Sequence, residues 1–571
     1  MSTNLFDQEF FELINKETQK ILTSLASDKT QQALQEFNQQ WLEISQQNIT
    51  QPSGWIEAVG NLQKQQLGLW QQFFEQAQSS DIDPLPDNTL EVAQTQVFEY
   101  IKQSYVVASN LLNEFSANAA LPEHEKEKLS FYTKQYTDAL SPENFALTNP
   151  EVINEAIKTK GQSLVNGLHN LVQDIEKGRI SMTDENAFTL GENIAVTEGS
   201  VVYENDLFQL IHYKAQGETV HARPTLIIPP CINKYYILDL QPHNSFVKYC
   251  VEQGQNTFLV SWINPTSSQG AISWDDYVAK GVINAITRVN SMSNTKTLNA
   301  VSWCVGGTLL ASALAVLAAK NDKQVQSATF LTTLLDFEEP GEISVFIDKV
   351  QIDGLIAKAK EDGVLSGRQL ATAFNMLRSN DLIWAYVVNN YLKGKQPAPF
   401  DILYWNGDST NLPYQMYRFY ITQMYLENKL CKPNAMQICE QAIDLSKVDT
   451  PCYFLSTIGD HIAPWKSTFK GVELLGGKCE FVLGASGHVA GVINPPAKNK
   501  RHYWVNSDTT NGADQWLESA TKETGSWWPH WNTWLKRRAG KKVPVTTLNM
   551  EDYPEIEPAP GRYVKVTLDD M

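Results

Sequence analysis

Apolar residues recur at helical spacing through the first third of the chain: Phe6, Phe10, Leu13; Phe37, Trp41, Ile44; Trp70, Phe73; Phe98, Ile101, Tyr105. Glycine and proline are scarce there and glutamine is abundant, so an all-helical N-terminal domain is expected over residues 1–190. Its aromatic stripes have two readings, mutual packing in a bundle or docking onto a partner protein or apolar surface. After Gly178 the pattern changes to β-branched alternation punctuated by turn residues. Asn193 to Val196, a turn at Thr197-Glu198-Gly199, Val201 to Tyr203, and Leu207 to Tyr213 predict a hairpin or meander. Short apolar runs follow at Thr225–Ile228, Thr257–Trp262 and Leu298–Trp303, with later ones at Ala328–Thr333, Cys452–Thr457 and Glu480–Leu483. The first three are each trailed by helix-compatible sequence, which is the rhythm of a mostly parallel sheet covered on both faces. The aromatic, helix-patterned stretch over about 337–446 interrupts that rhythm and reads as a cap inserted into a domain spanning 191–571.

Composition narrows the classes. The chain has 571 residues, enough for a large core, and a formal net charge of −18, which makes nucleic acid a poor partner while leaving room for a local basic pocket. Seven cysteines with no C-x-x-C pair and no zinc-ligand spacing argue for a reducing compartment, with neither a disulfide framework nor a metal. The acidic N-terminus has no basic n-region, and the longest apolar stretch, Val305 to Ala319, is too short to span a bilayer. A cytoplasmic protein without a transmembrane segment is expected.

The chemistry concentrates at Ser302-Trp303-Cys304-Val305-Gly306-Gly307. An apolar strand, a tight turn of small residues and an Ala/Leu-rich helix make the setting of a nucleophile elbow, with Cys304 in the nucleophile position at a helix N-terminus that favours negative charge. An acid and a histidine should then follow in chain order, each beyond a later strand. Asp460 follows the Cys452–Thr457 run, and His488 closes the loop Gly484-Ala485-Ser486-Gly487 after the next run. His461 is a competitor, but it adjoins the acid and has no strand and glycine loop of its own. In this scheme His488 takes the thiol proton and Asp460 orients the imidazole. The N–H of Val305 supplies one oxyanion donor, and a second comes from the loop after Thr225–Ile228, at Cys231 or Ile232. Cys231 itself reads equally as a packed thiol. The fold class is therefore α/β: an α/β-hydrolase-type catalytic domain with a large cap, preceded by an all-helical domain. A cysteine in place of serine argues for acyl transfer from a thioester, since thiol-to-thioester exchange is nearly isoenergetic and the acyl group keeps its reactivity.

From about Glu192 onward the chain resembles the polyhydroxyalkanoate synthases, specifically the long single-subunit kind. The resemblance is carried by GENIAVTEGSVVYENDLFQLIHYK, PPCINKYYILDL, SWCVGGT, LYWNGDSTNLP, GDHIAPW, GASGHVAGVINPPAKNK, GSWWPHW and IEPAPGRYVKV. It implies that Cys304, Asp460 and His488 are nucleophile, acid and histidine. The reaction it implies loads a short-chain (R)-3-hydroxyacyl-CoA, foremost 3-hydroxybutyryl-CoA, onto the cysteine; a chain hydroxyl then attacks the thioester. CoA leaves, a polyester grows and no cofactor is needed. It further implies a cytoplasmic homodimer, paired through its cap, that associates with polyester granules and granule-coating proteins. Ser302 for the usual glycine and Cys231 for the more frequent aromatic depart from the family pattern.

Asp239, Trp405, Asn406 and Asp408 have two readings, contacts to substrate or CoA and hydrogen bonds that fix loops. Trp527, Trp528, Trp531 and Trp534, followed by Lys536, Arg537, Arg538, Lys541 and Lys542, form either an interfacial helix or a packing element. The rivals to polymerisation are an acyl-CoA or lactone hydrolase using the same three residues, and a catalytically silent granule scaffold.

Overall fold

A computed structural model describes residues 89–545 and 553–570. The expected helical positions Phe6, Phe10, Leu13, Phe37, Trp41, Ile44, Trp70 and Phe73 lie outside the described residues. The described chain forms two compact units, one of residues up to 185 together with 374–399, the other of 186–373 and 400–571.

In the first unit, Thr89–Ala117 and Glu123–Ala139 are helices joined where the Tyr105 hydroxyl donates to the Thr137 carbonyl. Pro150–Lys158 starts at Asn149, whose side chain accepts from the N–H groups of Glu151 and Val152; Gln162–Lys177 stops at Gly178, which takes the left-handed cap conformation at φ 70°. Residues 374–399, expected as part of one continuous cap, belong to this unit. Asn170 donates to the carbonyls of Asn390 and Lys395, and Tyr391 donates to Asp174. A side chain at Gly167 would come within 1.9 Å of the Tyr391 carbonyl, so the two segments touch backbone to backbone.

The second unit is built on an eleven-stranded sheet. Its strands are β1 (Gly199–Glu204), β2 (Phe208–Tyr213), β3 (Thr225–Ile228), β4 (Thr257–Trp262), β5 (Leu298–Trp303), β6 (Val325–Leu331), β7 (Cys452–Thr457), β8 (Cys479–Gly484), β9 (His502–Asn506), β10 (Thr521–Thr524) and β11 (Glu557–Pro558). They lie in the order β10-β9-β8-β7-β6-β5-β3-β4-β2-β1-β11. The block β4-β3-β5-β6-β7-β8 is parallel and the flanking strands are antiparallel. Every residue of β3, β4, β5 and β7 is buried. Successive residues feed two separate cores on opposite faces: Leu226, Ala300, Phe454 and Phe481 on one, Ile227, Val301, Leu455 and Val482 on the other. Two-sided burial is why these strands read as continuous apolar runs.

One expectation about the sheet is corrected. Asn193–Val196 is not the first arm of the hairpin, because Ile194 makes only an isolated bridge to Leu190 and Ala195 turns to φ 56°, its N–H directed at the Asp239 and Leu240 carbonyls. The hairpin is β1 with β2. The strands β9 and β10 also went unforeseen; β9 is half-buried along its length and β10 is exposed, so neither carries an apolar run.

Strand order reverses at β3, since the chain leaves it for β4 on one side and returns past it to β5 on the other. The carboxyl ends of β3 and β5 therefore form the switch-point crevice where open α/β sheets bind ligands.

Candidate active site

Cys304 follows β5 directly and caps the helix Val305–Ala319, with its backbone at φ 51° and ψ −126°. A non-glycine residue in that region costs on the order of 1–3 kcal/mol, and the surroundings must hold it there. Three contacts do so. The Cys304 N–H donates to the Leu331 carbonyl at 2.9 Å, the Gly307 N–H donates to the Cys304 carbonyl at 2.8 Å, and Gly306 lies so close to β3 that a Cβ would fall 2.5 Å from the Ile228 carbonyl oxygen and 2.6 Å from that of Pro229. Ser302, where glycine is usual, fits because its hydroxyl donates to the Thr329 carbonyl of the neighbouring strand at 2.8 Å.

The parallel pairing of β7 and β8, ending at Thr457 opposite Gly484, continues into the loops. Ile458 N–H donates to the Gly484 carbonyl and Gly459 N–H to that of Ser486, which stands at φ 81°. Those bonds bring Asp460 and His488 together: His488 Nδ1 meets Asp460 Oδ2 at 2.7 Å. Both side chains are buried. The other carboxylate oxygen of Asp460 accepts the N–H groups of Ile462 and Ala463 at 2.9 and 2.8 Å, so the acid cannot turn away. With Nδ1 committed to Asp460, Nε2 is the ring nitrogen left for a second partner, and the ring lies beside the Cys304 turn, its centroid 6.2 Å from that of Trp303. Burial alone would depress the His488 imidazole, but the Asp460 carboxylate and the Cys304 sulfur, by charge and hydrogen bonding, raise it to about 10. His461 is half-buried, and its carbonyl accepts the Glu342 N–H.

The loop after β3 lies beside the Cys304 turn, against Gly306. Cys231 is fully buried and burial pushes its thiol well up, so it stays neutral. Two residues not singled out for the site from the sequence, Tyr420 and Tyr425 on the π-helical segment Tyr420–Leu426, pack edge to face at 5.2 Å and lie near enough to Cys304 to feel its charge. Burial first, and the charge of Cys304 after it, raise both hydroxyls; Tyr425 raises Tyr420 further, while its bond to Tyr420 lowers Tyr425. They belong to the run of aromatics that marked the cap, but within that run nothing distinguished them.

The remaining candidates are held in loops. Asp239 accepts from the hydroxyls of Thr197 and Ser245, and burial raises its carboxyl. Trp405 Nε1 donates to the Lys234 carbonyl, Asp408 pairs with Lys234, and Asn406 is half-buried one residue after Trp405. The three tryptophans of the late helix Trp528–Lys536 and its cap residue Trp527 are buried, which is the packing reading. Trp527 and Trp528 donate to the carbonyls of Gly491 and Val492, in the turn that follows His488, and Trp531 donates to Thr329. Among the described residues no cluster of three or more His, Cys, Asp or Glu is placed to hold a metal, and no helix is long and apolar enough to cross a membrane.

Residues 88–250 match the family model described as "Poly-beta-hydroxybutyrate polymerase (PhaC) N-terminus", and residues 224–495 match that of the "alpha/beta hydrolase fold". The chain is 46% identical over 476 residues to the poly(3-hydroxyalkanoate) polymerase subunit PhaC of Cupriavidus necator, covering 82% of this chain and 80% of that one. It is 40% identical over 539 residues to the protein of the same description from Rhizobium etli, covering 91% and 85%. To poly(3-hydroxyalkanoate) polymerase 1 of Ectopseudomonas oleovorans it is 38% identical over 466 residues, covering 81% and 83%.

Proposed function

The chain belongs to the poly(3-hydroxyalkanoate) polymerase family, and from that membership we propose that it polymerises short-chain (R)-3-hydroxyacyl-CoA, foremost 3-hydroxybutyryl-CoA, through an acyl-cysteine at Cys304. The observation that carries the reading is the Asp460–His488 pair, 2.7 Å apart beyond β7 and β8, with the His488 ring beside Trp303, the residue before Cys304 at the carboxyl end of β5. Nε2 of His488 takes the thiol proton, and Asp460 stabilises the imidazolium. The Cys304 sulfur attacks the thioester carbonyl and forms a new C–S bond. The C–S bond to CoA breaks, and the departing sulfur receives the proton from His488. The terminal hydroxyl of a growing chain next attacks the acyl-cysteine. His488 accepts the hydroxyl proton and returns it to the Cys304 sulfur as the ester forms, so the chain lengthens by one unit and the thiol is regenerated. The N–H groups of Val305 and Ile232 are the donors assigned to each tetrahedral oxyanion. CoA is a leaving group and no cofactor takes part. The site of action is the cytoplasm, at the surface of the insoluble product, where granule-coating proteins gather, and the working form is a homodimer.

The test is incubation of purified protein with (R)-3-hydroxybutyryl-CoA, following CoA release with a thiol reagent and assaying insoluble polyester and free acid in the same tube. CoA release with polymer is expected, and both vanish in Cys304→Ala. Stoichiometric free 3-hydroxybutyrate without polymer would replace polymerisation by hydrolysis on the same site. Cellular effects that survive intact in Cys304→Ala would mark a scaffold.

A further inference from the structure

The segment Asp401 to Pro413 contributes nothing to the line from Cys304 to Asp460, yet its polar groups converge on the loop after β3. The Thr410 hydroxyl lies 2.9 Å from the Cys231 carbonyl oxygen and 2.6 Å from that of Ile232, and the Thr410 N–H donates to the Ile232 carbonyl at 3.2 Å. Asn233 and Ser409 pair as an antiparallel bridge. Trp405 Nε1 donates to the Lys234 carbonyl at 2.6 Å. The buried Lys234 ammonium meets Asp408 Oδ1 at 2.6 Å, and Asp408 Oδ2 accepts the Tyr236 hydroxyl at 2.9 Å. A buried ion pair adds little net stability after desolvation, but it holds one geometry against others.

Peptide stereochemistry turns these contacts into a direction. In a planar trans peptide the C=O and the following N–H point opposite ways. Holding the Cys231 carbonyl towards Thr410 commits the Ile232 N–H to the other face of the loop, and holding the Ile232 carbonyl does the same for the Asn233 N–H. Two consecutive N–H groups turned to one side form an anion-binding concavity. The loop they leave from begins at Pro229, against Gly306 of the nucleophile turn.

We propose that Thr410 is a positioning residue whose hydroxyl, its one proton shared between the Cys231 and Ile232 carbonyls, aims the Ile232 N–H, with that of Asn233 beside it, at the oxyanion formed on Cys304, opposite the Val305 N–H. The inference rests on Cys304 as the acyl-accepting nucleophile. Lys234 and Asp408 lock the loop one residue further on.

The experiment compares Thr410→Val, which removes the hydroxyl at nearly constant shape, with Thr410→Ser, which keeps it. Two rates are read in each: CoA release from (R)-3-hydroxybutyryl-CoA, which passes through an oxyanion, and alkylation of Cys304 by iodoacetamide, which does not. In Thr410→Val, kcat should fall about tenfold or more, with KM and the alkylation rate within about twofold of the parent. Thr410→Ser should restore kcat. Unchanged kcat in Thr410→Val overturns the proposal, as does alkylation slowed in proportion to kcat. If Thr410→Val does not fold, Thr410→Ala is read the same way, and loss of the fold in both assigns Thr410 a structural role instead. Cys304→Ala is run alongside: CoA release that persists in it removes the nucleophile reading itself, whatever the Thr410 variants do.

Discussion

At Cys304 the strained backbone puts the sulfur at the mouth of the sheet, and what allows the strain is a missing side chain two residues later. Gly306 meets the Ile228 and Pro229 carbonyl oxygens at a distance no Cβ tolerates. Gly306→Ala should cost about 1–3 kcal/mol of stability through overpacking. It should also cost CoA-release activity beyond that, because the helix must back away from β3 and carry Cys304 with it. Thermal unfolding and the kinetics of CoA release on the same sample check both; full activity in a destabilised protein would show that the turn relaxes elsewhere. A second residue-scale prediction concerns the nucleophile. Cys304→Ser should keep the fold and lose most activity, because His488 must then deprotonate an alcohol; near-normal turnover would remove Cys304 from that role.

At the scale of elements, the histidine is positioned by parts of the chain remote in sequence. The β7–β8 register sets its distance from Asp460, and the turn Gly487 to Ile493 is fastened from behind by two indole N–H groups. Trp528→Phe leaves the buried Val492 carbonyl without its indole donor, which should cost about 1–3 kcal/mol. It should also lower kcat more than it raises KM, since it loosens His488 rather than the substrate pocket. Stability measured by denaturant, with kcat and KM resolved separately, tests this; a change in KM alone would break the link between the tryptophan helix and the histidine. Lys536, Arg537, Lys541 and Lys542 are exposed, but Arg538 lies over the Trp534 ring and the tryptophans are taken up by the core, so an interfacial role has no apolar face left there.

For the whole molecule, the raised imidazole of His488 couples folding to pH. A group whose folded pKa, about 10, lies above its ordinary 6.5 contributes stability that is complete below about pH 6.5 and declines as pH rises to about 10. The slope from this one group is at most about 1.4 kcal/mol per pH unit. Unfolding free energy measured from pH 6.5 to 10 should therefore fall more steeply in the parent protein than in His488→Gln, and parallel curves would show that the histidine carries no such coupling.

Much of this was legible along the chain, for reasons that differ by part. The six parallel strands were visible because burial on both faces demands unbroken apolar runs, and β9 and β10 were not because half-buried or exposed strands leave no such signature. Cys304, Asp460 and His488 were picked out because each lies just beyond a strand with glycine in its turn, a local pattern that sequence carries. Residues 374–399 read as cap because their helical periodicity is the same whichever unit they join; only Asn170, Asp174 and Gly167 facing them decide the matter. The sequence by itself thus determined the six parallel strands, the turn at Cys304 and the chain order of Cys304, Asp460 and His488, all set by local sterics and burial. The tertiary structure alone decided the Asp460–His488 contact, the packing of Tyr420 on Tyr425 and the grip of Thr410 on the β3 loop. Those depend on strand register and on the direction of single carbonyl groups, which arise only when distant segments meet.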